Sequence, residues 1–191
     1  MTHVLLFHHA LGLTPGLLGF ADTLRADGHE VTTPDLFDGR TFATVEEGVA
    51  FASEAGFGAL TERGVRAADD LPDDLVYAGV SLGVMPAQQL AQTRAGARGA
   101  LLLEAAVPTS EFGAWPVGLP VQVHGMDADP YFAEEDLPAA RALVEEAGSA
   151  GELFLYPGGG HLFLDPSSPA YDATAAELAT ERIRGFLRAL S

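Results

Sequence analysis

Five residues, Gly79-Val80-Ser81-Leu82-Gly83, carry the most pointed chemistry in this chain. A glycine two positions to either side of a serine suits a turn so sharp that side chains there would collide. The run before it, Leu75-Val76-Tyr77-Ala78, is apolar and rich in strand-forming types, and the run from Val84 to about Thr93 reads as a helix. Strand, tight turn and helix form the setting in which such a serine becomes a nucleophile. The turn lifts its hydroxyl above the sheet edge, and the helix aims its N-terminal dipole and the Leu82 N–H at a developing oxyanion. The plainer reading is a glycine-rich turn with an incidental serine.

A hydroxyl is a weak nucleophile at neutral pH and needs a base beside it. His161 is the candidate: it follows a predicted strand, Glu152–Tyr156, and the flexible run Pro157-Gly158-Gly159-Gly160. The base in turn needs a carboxylate to fix its tautomer. Asp129 and Asp127, just after a predicted strand at Pro120–His124, are the two choices. The plainer alternatives are a loop histidine bonded to backbone and, for Asp129 before Pro130, a helix N-cap. His8 and His9 follow the first predicted strand. Adjacent histidines there point opposite ways, which makes them poor joint metal ligands even with His124. No metal site and no cofactor are read. His9, Arg40 and Trp115 are candidate substrate contacts, weighed against a polar turn, a surface arginine and loop packing.

The elements that must position these residues alternate. Strands are expected at His3–His8, His29–Thr33, Leu75–Gly79, Ala100–Glu104, Pro120–His124 and Glu152–Tyr156. Helices are expected after Thr14-Pro15, from about Val45 to Arg63 with glycine interruptions, after Gly83, after the Asp136-Leu137-Pro138 cap, and from about Tyr171 to Leu190. The last helix should turn Leu178, Ile183, Phe186 and Leu187 inward. Such alternation predicts an α/β chain with a doubly wound, mostly parallel sheet of about six strands and helices on both faces. Ligands of such sheets sit beyond the carboxyl ends of the strands, where Ser81, the aspartates and His161 all fall.

With 191 residues, 48% of them apolar, one domain spanning 1–191 is expected. A formal charge of −17 argues against nucleic acid and anionic membrane as partners. The absence of cysteine excludes disulfides and a thiolate nucleophile. The N-terminal apolar run is too short and lacks the basic flank of a signal peptide, so a soluble cytoplasmic protein, monomer or homodimer, is the expectation.

Taken together, Val4 to Thr14, Pro34-Asp35-Leu36-Phe37, Gly79 to Gly83, Asp127 to Tyr131 and Tyr156 to Phe163 resemble the dienelactone hydrolases. These form a compact branch of the α/β-hydrolase fold without a large lid. The resemblance implies Ser81 as nucleophile, His161 as base, Asp129 ahead of Asp127 as acid, and the Leu82 and Ala10 N–H groups as the oxyanion hole. The chain departs from the family's founding enzymes in three places. Serine replaces their elbow cysteine, His9 stands where they have a glutamate, and Asp165 stands where they have a second arginine beside Arg40. An acidic Asp165 at the substrate would disfavour anions. The expected activity is hydrolysis of a small neutral ester, lactone or thioester. The alternative is a non-catalytic small-molecule binding protein on the same fold.

Overall fold

Six short apolar runs become one fully parallel sheet in the computed structural model, which describes residues 1–191. The strands are β1 (His3–Phe7), β2 (Glu30–Thr32), β3 (Leu75–Val80), β4 (Gly99–Leu103), β5 (Val121–Met126) and β6 (Gly151–Tyr156). Their spatial order is β2-β1-β3-β4-β5-β6. β1 therefore pairs with both β2 and β3, and the chain reverses direction across it. The crevice between the ends of β1 and β3 is the switch point where such sheets hold ligands.

Alternate residues of each strand feed two separate cores. Val4 and Leu6 pack with α1 (Pro15–Ala26) and α6 (Ala173–Ala189) on one face. Leu5 and Phe7 pack on the other with α2 (Val45–Ala55), α3 (Phe57–Arg66), α4 (Val84–Thr93) and α5 (Leu137–Ala147). Burial on both faces is why these strands read as continuous apolar runs rather than alternating ones.

Local chemistry sets several boundaries differently from expectation. The single helix expected from Val45 to Arg63 is two, because Gly56 sits at φ +90°, a left-handed conformation that ends α2 and starts α3. Asp136 does not cap α5; a wider π-type turn, Pro130–Asp136, precedes the helix, and the Asp136 carboxylate accepts from the Ala106 N–H at 3.3 Å. α6 starts at Ala173 rather than Tyr171, capped by the Asp172 carboxylate through the Thr174 and Ala175 N–H groups. Leu178 is 42% exposed on it, whereas Ile183, Phe186 and Leu187 are buried. The inward stripe is completed by Ala175, Ala176 and Ala179, small residues that let the helix lie close to the sheet.

Candidate active site

The turn after β3 is built as its glycines demand. A Cβ on Gly79 would stand 2.1 Å from the Gly83 carbonyl oxygen, and one on Gly83 would stand 2.5 Å from the Phe7 oxygen. The first contact closes the turn on itself; the second presses it against the end of β1. Ser81, at its tip, is held at φ +49°, a strained conformation for a residue with a side chain.

That strain aims the hydroxyl at the next partner. Ser81 Oγ lies 2.8 Å from His161 Nε2, and His161 Nδ1 lies 2.7 Å from Asp129 Oδ2. With Nδ1–H donating to the carboxylate, Nε2 is left to accept from the serine. Asp129 is fully buried, and its other oxygen accepts from the Tyr131 N–H at 3.0 Å. Asp129 is thus a cap of the following turn as well as the histidine's partner. Asp127 points elsewhere: its carboxylate accepts from the Gly158 N–H at 3.0 Å and fastens the β5 and β6 loops together.

Burial pulls the His161 pKa down, but the Asp129 hydrogen bond and the negative charges of Glu104, Asp129 and Asp136 outweigh it and hold the imidazole above its usual range. The Tyr131 ring lies against it, 4.7 Å between centroids.

Ser81 and His161 open onto a cavity of about 500 Å³. Its apolar wall comes from Val45 and Val49 of α2, Phe57 of α3, Met85 of α4 and Val107 of the loop after β4. Glu104, Glu135 and Asp136 also line it, and no arginine or lysine does. Burial raises Glu104 to about 7 and Asp136 to about 6. Ala10 reaches the cavity from the loop after β1, and its N–H donates to no acceptor in the protein. A larger groove of about 730 Å³ lies between α1 and α6 and contains neither the serine nor the histidine.

The other candidates are placed differently. His9 is fully buried and does not line this cavity: its Nε2–H donates to Asp165 at 2.7 Å and its Nδ1 accepts from the Leu11 N–H. Asp165 also accepts from the Thr14 hydroxyl and the Ser167 N–H, so it is a buried structural acceptor, held below the usual carboxylate range despite desolvation. It does not line the cavity that holds Ser81 and His161. Arg40 is exposed, its guanidinium stacked 5.0 Å over the Phe51 ring. Trp115 packs into the core with its indole N–H on the Leu119 carbonyl at 2.9 Å. His8 and His124 are neutral core residues, pushed by burial to about 4 and about 3, with ring nitrogens engaged by the Leu36 N–H and His9 carbonyl, and by Tyr156 and Gln122.

The family model for the dienelactone hydrolase family matches residues 1–191. The chain belongs to the dienelactone hydrolase family. Membership supports a hydrolase, and the sheet with its covering helices is the α/β-hydrolase fold. Among solved structures, it is similar to a dienelactone hydrolase-like promiscuous phosphotriesterase from metagenomic libraries, at 18% identity over 100% of this chain and 87% of that one, TM-score 0.75. A dienelactone hydrolase from Anabaena variabilis matches at 21% identity over 95% and 84%, TM-score 0.63. The thioesterase domain from the curacin biosynthetic pathway matches at 17% over 95% and 90%, TM-score 0.63. No curated protein matches the sequence. No helix of this dienelactone hydrolase family member is long and apolar enough to cross a membrane.

Proposed function

We propose that this protein is a serine hydrolase of small neutral carboxylic esters, lactones or thioesters. The observation that supports it most is the unbroken hydrogen-bond path from Ser81 through His161 to Asp129 at the mouth of an apolar cavity. In the reaction, Ser81 Oγ attacks the substrate carbonyl as its proton passes to His161 Nε2. The carbonyl π pair becomes an oxyanion, received by the Leu82 and Ala10 N–H groups. Collapse expels the alcohol, which takes the proton from His161. Water then attacks the acyl-serine as its proton passes to His161, and collapse returns that proton to Ser81 Oγ as the acid leaves.

The neutral preference rests on the lining rather than on Asp165. Three acidic side chains and no fixed cation face the cavity, and although burial keeps Glu104 partly protonated at neutral pH, an anionic substrate still meets like charge as it loses its water. A panel of matched esters tests this. Monoethyl succinate is expected to show kcat/KM roughly 10-fold or more below ethyl butyrate; equal values would remove the charge argument. A fluorophosphonate probe should label Ser81 in the native protein, and an unreactive serine would favour a binding protein instead.

Ala10 offers a separate check. Its carbonyl lies where a Cβ on Gly48 would be, 1.8 Å away, so α2 passes hard against the loop. Alanine in place of glycine normally strengthens a helix by about 0.5–1 kcal/mol. Here Gly48→Ala must displace Ala10, and kcat is expected to fall by about 10-fold or more. Kinetics unchanged from wild type would take Ala10 out of the oxyanion site.

A further inference from the structure

Glu104 is the lone charged residue at the end of an otherwise apolar strand. It directly follows β4, sits at φ +64° and is fully buried beside the cavity. Its carboxylate accepts from the backbone N–H groups of Leu162 and Leu164. Leu162 is the residue immediately after His161 and is itself left-handed, at φ +67°. One side chain thus ties down two amides in the strained stretch of chain that carries the imidazole. No arginine pairs with it. A buried carboxylate without a cation is costly, and the two backbone N–H groups are the hydrogen bonds that offset part of that cost here.

We propose that Glu104 is a positioning residue for His161: its carboxylate clamps the loop behind the imidazole and faces the positive charge that His161 gains on taking the Ser81 proton. This rests on the reading of Ser81 as nucleophile and His161 as base. The charges around that imidazole come from three elements. Asp129 holds Nδ1 from the loop after β5, Asp136 contributes from the turn before α5, and Glu104 contributes from the residue after β4. Glu104 is raised to about 7 by burial, and His161 is the largest influence drawing it back down. Its charge is poorly compensated while the histidine is neutral and better compensated once the imidazolium forms. An interaction that strengthens on the way to the transition state accelerates the reaction.

The test is Glu104→Gln beside Glu104→Asp, assayed on p-nitrophenyl butyrate across pH. With Glu104→Gln, kcat should fall about 10- to 100-fold at little-changed KM. The acid limb of kcat/KM should also move to lower pH, since one of the charges holding His161 protonated is gone. Glu104→Asp keeps the charge; its limb should stay near that of wild type with part of kcat restored. Wild-type kcat in Glu104→Gln, or an unmoved limb, overturns the proposal, because a merely structural residue leaves the limb in place.

If Glu104→Gln does not fold, the wild-type protein decides. The ¹⁵N resonances of the His161 ring should respond to the ionisation of Glu104, followed in the same titration through its ¹³C carboxyl resonance, and two titrations that leave each other unmoved overturn the proposal. That titration needs no substrate. Failure of the wild type to hydrolyse any ester would therefore sink the hydrolase reading while the titration still decides Glu104.

Discussion

Ser81→Ala should remove ester turnover and leave the fold intact. The change deletes one oxygen from a half-buried side chain whose hydrogen bond runs to His161. On the proposed mechanism no atom is then left to form the acyl intermediate. Only water held by the oxyanion donors remains, so kcat should fall by about 10⁴- to 10⁶-fold. The thermal midpoint should hold or rise slightly. Ser81 stands at φ +49°, and Ser81→Gly, which removes the strain as well, should be more stable than wild type by about 1 kcal/mol. Initial rates on p-nitrophenyl butyrate with circular-dichroism melts give both readouts. Retention of more than a few per cent of activity by the alanine variant would place the nucleophile elsewhere.

The turn was legible because its constraints are local. Gly79 and Gly83 are spaced by the collision their Cβ atoms would cause, and the collision lies within the same few residues or against β1. Likewise the six apolar runs are strands since both their faces are covered, a property that hydropathy records directly. The His161 loop was readable for a similar reason, following a strand on a run of glycines.

What the sequence hid is tertiary or electrostatic. His9 and Asp165 are 156 residues apart, and nothing in either neighbourhood announces that they pair. Arg40 and Trp115 have types that suit a binding site, yet an exposed ring stack and a buried indole occupy them. Gly48, one of the glycines that interrupt the helix expected over Val45 to Arg63, is the point where α2 meets the Ala10 carbonyl. Leu178 has the size of a core residue, yet half of the buried stripe of α6 is alanine. The lining residues Val45, Val49 and Phe57 lie on α2 and α3, whose hydrophobic faces do not reveal which positions meet the switch point. Glu104 did carry a signal, a single charge closing the strand Gly99–Leu103 at its carboxyl end.

The choice between the two aspartates turns on a register that the sequence leaves open by two residues. β5 runs on past His124 to Met126, so Asp127 is the first residue beyond the strand and turns toward Gly158, while Asp129 falls under the imidazole. Asp129→Asn should therefore cost about 10⁴-fold in kcat. One oxygen of residue 129 is committed to the Tyr131 N–H. In the asparagine variant the amide NH₂ then occupies the position facing Nδ1 and can only donate to it. The imidazole must carry its proton on Nε2, where it blocks the transfer from Ser81. Asp127→Asn keeps an oxygen that can accept from the Gly158 N–H, so activity should stay close to wild type. Kinetics of the two variants at matched pH, with melting curves to confirm folding, separate the cases. A large loss at Asp127 beside near-normal turnover at Asp129 would reverse the assignment and leave the Asp129–His161 contact as a cap and nothing more.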